Sequence, residues 1–119
     1  MDELVERLVA NVGVSRTAAE QSIGIILDFL KKEGPPDKVQ ALLDKLPGSE
    51  LYLQSAEAAG DGMSMSGVMG AGMRMMSAGL SMDQVQAVTR ETIAFVREKA
   101  GEDAIGEIVS AVPGLGQFI

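Results

Sequence analysis

Cysteine, histidine and tryptophan are absent from the 119-residue sequence, and its aromatic residues are three Phe and one Tyr. Without cysteine there are no disulfides, no thiol nucleophile and no thiolate metal ligand. Without histidine there is no imidazole acid–base catalyst and no zinc-finger ligand set. Positive charge is scarce as well: 10 Lys and Arg stand against 17 Asp and Glu, a net charge of −7. That balance opposes binding to DNA or to an anionic membrane unless the few cations cluster. Long apolar runs are also missing. The longest weakly charged stretch, residues 63–82, is interrupted only by Arg74 and is rich in Gly, Ser and Met rather than Leu, Ile and Phe, so its transfer into a bilayer is unfavourable. The opening residues Met1-Asp2-Glu3-Leu4-Val5-Glu6-Arg7 have no basic region leading into an apolar run, and so do not read as a secretory signal. The expectation is a cytoplasmic, soluble protein.

What is present is enough apolar material for a core. Hydrophobic residues make up 46% and charged residues 23%, the balance of an ordinary single domain. Sliding the chain along itself by 66 positions aligns its two ends without a gap: Gly13 meets Gly79, Ser15 meets Ser81, Phe29 meets Phe95, Asp37 meets Asp103, Pro47 meets Pro113 and Gly48 meets Gly114. Apolar positions agree further. Val39, Leu42, Leu43 and Leu46 face Ile105, Ile108, Val109 and Val112, and Tyr52-Leu53 faces Phe118-Ile119. One domain, 1–119, is therefore expected to hold repeat units 1–53 and 67–119 joined by 54–66, with 1–12 and 67–78 sharing a slot rather than a sequence.

Each unit reads as three helices. Leu4, Leu8, Val9 and Val12 recur at helical spacing over 2–12. Gly13 and Gly79 suit a left-handed helix stop, and Ser15 and Ser81 suit the N-caps that follow. Ser81-Met82-Asp83-Gln84 adds a capping box, and Val14 and Leu80 precede the caps as staples. Long helices are expected at 16–33 and 82–100, with Phe29 and Phe95 on their core stripes. Short helices are expected at about 37–46 and 102–112, with Asp37 and Asp103 in their first turns and prolines after them. Ser49-Glu50 starts a further helix through Ala59. Nothing alternates with period two, so no sheet is expected. The fold class is all-α: a compact helical bundle of five to seven helices built from two quasi-repeated three-helix units.

Seven of the eight methionines lie between residues 63 and 82. Soft thioethers at Met-x-Met and Met-x-x-x-Met spacing are the donor set of a copper(I) site. Flexible, polarizable Met is equally the residue of an adaptable partner surface. The plain alternative is gap-filling core, with Gly67, Gly70 and Gly72 allowing close approach. The lack of histidine weighs against metal, and we expect no cofactor. Met69, Met73, Met75 and Met76 are the candidate partner contacts, toward another protein or a second copy.

Other chemistry is weaker. Glu98, Glu102, Asp103 and Glu107 share part of a helix face and could hold Mg²⁺, but such a run is ordinarily a solvated surface. Gly60-Asp61-Gly62 lacks the ligand spacing of a calcium loop. Gly67, Gly70 and Gly72 do not follow a strand, so no phosphate cradle is supported. Ser15 and Ser81 have no base beside them in any motif. No catalytic residue is assigned.

Leu4 to Leu30, centred on Gly13-Val14-Ser15, resembles the N-terminal helical hairpin of the bacterial histone-like DNA-bending proteins. That family continues into a sheet and a basic arm, whereas Gly34-Pro35-Pro36-Asp37 here begins another helix in an acidic chain. A resemblance covering nearly the whole chain is to small bacterial all-helical proteins grouped as domains of unknown function, including the YidB-like group. It is carried by Gly13-Val14-Ser15, by Leu46-Pro47-Gly48, by the Gly/Met-rich middle and by Val112-Pro113-Gly114-Leu115-Gly116. It implies an all-α fold and brings no enzymatic residue. The function expected is a non-enzymatic module for protein–protein interaction or self-association through the Met/Gly-rich segment. The competing classes are a DNA-associated regulator, which needs a contiguous patch of Arg7, Arg16, Lys31, Lys32, Lys38 and Lys45, and a carboxylate-dependent enzyme, which needs convergent acids in a pocket.

Overall fold

A computed structural model describes residues 2–46, 48–59 and 67–111, omitting the side chains of 55–59, 67–69 and 71. Within these residues there are seven helices and no strand: α1 (Asp2–Asn11), α2 (Arg16–Glu33), α3 (Pro36–Asp44), α4 (Ser49–Ala59), α5 (Gly67–Ser77), α6 (Met82–Ala100) and α7 (Glu102–Ala111). The radius of gyration of 12.7 Å is that of a compact bundle.

The punctuation follows from local chemistry. Gly13 and Gly79 have φ of +86° and +107°, conformations that an L side chain resists. At Gly79 the turn closes fully: the Leu80 N–H donates to the Met75 carbonyl at 3.3 Å and the Gly79 N–H to the Met76 carbonyl at 3.0 Å. These two bonds satisfy the last carbonyls of α5. The Ser15 hydroxyl accepts from the Ala18 N–H at 3.1 Å. Ser81 forms the complete capping box, its hydroxyl accepting from the Gln84 N–H while the Gln84 side chain accepts from the Ser81 N–H. Val14 and Leu80 are both buried beside these caps.

α1 ends at Asn11 rather than Val12, and both ends of α3 differ from the sequence reading. α3 starts at Pro36 rather than Asp37, because proline fits the first helical position, where its missing N–H is not needed. It ends at Asp44 rather than Leu46, since Lys45 and Leu46 tighten into turn bonds to Leu42 and Leu43. Pro47, Pro113 and the Phe118-Ile119 pair lie outside the described residues.

Four helices form a ring. α2 and α6 each pack against both α1 and α5, and they also touch each other. α3 packs on α2, α7 on α6, and α3 and α7 on one another. Exchanging α1–α3 with α5–α7 leaves this set of pairs unchanged. α4, lying along α2, has no described counterpart. The core is drawn from every helix with described side chains. Leu4, Leu8, Ile23, Leu27, Leu30, Leu42, Ile93, Ile105 and Ile108 are its largest fully buried side chains. Phe29 and Phe95 are buried, as their stripes predict. The bundle buries hydroxyls too, and the helix backbone takes two of them: Ser22 donates to the Ala18 carbonyl and Thr89 to the Val85 carbonyl, both at 2.8 Å, whereas the buried Thr92 hydroxyl has no hydrogen-bond partner among the described residues.

Candidate functional site

α5 is an unlikely helix by composition. Its sequence GVMGAGMRMMS carries three glycines, each costing up to ~1 kcal/mol of propensity relative to Ala. It stands because it docks against α2 and α6. Helical period then sorts its methionines. Met75 is 3% exposed and belongs to the core, whereas Met73 and Met76, three residues apart on the outer side, are 42% and 44% exposed. Met82, at the start of α6, is exposed as well. The side chain of Met69 lies outside the described residues, as do Met63 and Met65. The four candidate contact residues thus divide: Met73 and Met76 face solvent and Met75 faces inward.

Between these methionines sits the one charge of α5, and it points to the core. The Arg74 guanidinium donates to the Asp28 carboxylate at 2.8 Å, with the Arg74 side chain 12% exposed and that of Asp28 0%. The Lys32 ammonium reaches the same Asp28 oxygen at 3.1 Å from the solvent side. The other Asp28 oxygen is buried with no hydrogen-bond partner among the described residues. Such a pair is expensive to desolvate, and removing one partner from it typically costs about 3–5 kcal/mol. The sequence reading missed this pair. The available signal was two isolated opposite charges, each inside an otherwise apolar stretch: Asp28 in Ile25-Ile26-Leu27-Asp28-Phe29-Leu30 and Arg74 in Met73-Arg74-Met75-Met76.

No protein-family model, curated protein or solved structure matches the chain. The two family resemblances therefore stand on their motif residues alone.

The competing constellations are dispersed by ion pairing. Arg7 grips Glu98 with both terminal nitrogens, at 2.9 and 3.0 Å, joining α1 to α6. The hydrogen bond from Arg7 holds the Glu98 carboxyl below its ordinary range and raises the guanidinium in turn. Lys38 meets Glu107 at 2.7 Å across α3 and α7, and this hydrogen bond raises the Lys38 ammonium. Arg16 lies 3.6 Å from Glu20 and 4.0 Å from Asp2. Of the cations a nucleic-acid patch would require, Arg7, Arg16, Lys32 and Lys38 are each matched by a carboxylate. Of the acidic run, Glu98 and Glu107 are bound to cations on different helices, and among the described residues no group of three acids could hold a metal ion. Tyr52 is half-buried, and burial pushes its hydroxyl up, away from use as a base near neutrality. No helix among the described residues is long and apolar enough to cross a membrane.

Proposed function

We propose that this chain is a non-enzymatic helical interaction module of the bacterial cytoplasm, whose contact surface is the outer face of α5. One observation carries the reading: Met73 and Met76 remain exposed on a glycine-bearing helix whose other face is docked. Thioether side chains are apolar yet flexible, so such a face adapts to a helical partner, or to the same face of a second copy, without a preformed groove. Met69, four residues before Met73 in the sequence, stays a candidate contact by residue type. The two-unit organisation belongs to this reading. The 66-residue offset and the exchangeable packing pairs support a duplicated three-helix unit that supplies a rigid frame for α5. The resemblance to the YidB-like group agrees, since it brings no catalytic residue.

The test is a pair of surface charges. Met73→Glu/Met76→Glu is expected to leave the helical circular dichroism spectrum unchanged. It should abolish self-association in sedimentation velocity, or the capture of whichever protein the unaltered chain retains. If both chains sediment as monomers and capture the same proteins, α5 is not the contact surface. Salt-sensitive, sub-micromolar binding to duplex DNA in an anisotropy titration would favour the regulator instead.

A further inference from the structure

The ring of four helices contains two related interfaces, α1 on α6 and α5 on α2. The 66-residue offset places Leu8 and Ala94 in the first interface where Arg74 and Asp28 stand in the second. Leu8 is fully buried and Ala94 half-buried. One interface thus carries two apolar residues at the positions where the other holds a buried ion pair. The ion pair is not what packing at those positions demands.

We infer that Asp28 and Arg74 make α5 the releasable helix of the bundle, a conformational latch that lets α5 leave α2 while α1 stays on α6. The reasoning is differential solvation. Exposing a buried Leu8 is opposed by the full cost of wetting its side chain, on the order of 10- to 100-fold in the opening equilibrium. Exposing Arg74 and Asp28 returns two desolvated ions to water, and their regained hydration offsets most of the attraction they lose. Lys32, on the solvent side of Asp28 at 3.1 Å, remains on α2 as a counter-ion when α5 departs, so the open state does not strand a bare carboxylate. The three glycines of α5 act in the same direction, because they hold little helix once its contacts are gone. Docked, the pair fixes one pose, since an ion pair is intolerant of the sliding that Met and Gly surfaces permit. Opened, α5 presents the buried Met75 together with Met73 and Met76. This inference rests on the contact-surface reading only for what the opened face does, not for the opening itself.

The experiment is native-state hydrogen exchange on the full chain, comparing amides 71–77 of α5 with amides 6–11 of α1. In the unaltered protein α5 is expected to exchange about tenfold faster than α1 or more, by an opening smaller than global unfolding. Asp28→Ala/Arg74→Leu copies the two apolar residues of the other interface into this one. It is expected to slow α5 by about tenfold while leaving α1 in place, closing the gap between the two helices. Slower exchange in α5 than in α1 in the unaltered chain overturns the inference, and so does a double variant with an unchanged α5-to-α1 ratio. A double variant that does not fold overturns it too, because the pair would then be a requirement of the fold. If the latch behaves as stated but Met73→Glu/Met76→Glu alters no association, the contact-surface reading fails alone.

Discussion

Phe95 offers the sharpest quantitative check on the packing. It is 2% exposed on α6, with the Arg7 guanidinium 5.4 Å and the Lys99 ammonium 5.3 Å from its ring centroid. Phe29, 66 positions earlier, is also buried, but the same offset puts Met73 and Glu33 where Arg7 and Lys99 stand, so no cation occupies either place. Phe29→Ala should therefore lose packing alone, about 3–5 kcal/mol. Phe95→Ala should lose that and two cation–π contacts of roughly 0.5–1 kcal/mol each, for a total near 4–7 kcal/mol. Against a domain stability of about 5–15 kcal/mol, either loss is large. Phe95→Leu keeps most of the apolar volume without the ring's negative face, and should fall between the unaltered chain and Phe95→Ala. Urea unfolding followed by far-ultraviolet circular dichroism reads the difference. With a slope of about 1–3 kcal/mol per molar, a loss of ~3 kcal/mol lowers the midpoint by ~1–3 M. A loss below about 1 kcal/mol at both positions would mean the helix faces are wrongly assigned. Equal losses at the two positions would mean that the cations over Phe95 contribute nothing.

Gly34→Ala should destabilise by about 1–3 kcal/mol, because its added carbon would lie 2.7 Å from the Leu30 carbonyl oxygen and 2.9 Å from a Val39 methyl. By contrast Gly106→Ala, with nothing within 4 Å of its added carbon, should stabilise by about 0.4–1 kcal/mol; in thermal melts a raised midpoint for Gly34→Ala would refute the first expectation and a lowered one for Gly106→Ala the second. Glu98 has its carboxyl lowered by the Arg7 hydrogen bond. The α1–α6 tie is therefore fully present above the ordinary glutamate range and is lost as pH falls through the lowered value. An NMR titration should place Glu98 below the ordinary glutamate range and return it upward in Arg7→Met. In mild peroxide, peptide mass spectrometry should find Met73, Met76 and Met82 oxidised before Met75. Uniform rates would contradict the division of α5 into two faces.

The helices were legible because their stops are chemical. Gly13, Gly79, Ser15 and Ser81 announce themselves by residue type, and the stripe through Phe29 repeats at Phe95. Which helices would meet was not legible. Periodicity assigns a face but not its neighbour, so the placement of α4 along α2 could not be read. The same limit hid the Arg74–Asp28 pair, whose members lie 46 residues apart. The candidate site was half-readable. Composition marked residues 63–82, yet a list of methionines does not separate Met75 from Met73 and Met76. That separation needs the helix's orientation, and it is the inward-pointing Arg74 that reveals it.

The placement of α2 has a consequence for biosynthesis. α2 is the most apolar of the long helices and lies against α1, α3, α4, α5 and α6. Two of those neighbours, α5 and α6, are made only after the chain has grown from residue 33 to residue 100. At about 5–20 residues per second that is a wait of roughly 3–13 s with an uncovered apolar helix. α4, which follows within one short helix and has no described counterpart beside α6, is the cover that arrives in time. Ribosome-bound chains long enough for α4, but not yet α5, to have left the exit tunnel should be protease-resistant across α2 and α4, and should lose that resistance when the buried Leu53 of α4 is replaced by Asp. The later long helix, α6, emerges onto helices already made, α1, α2 and α5 among them.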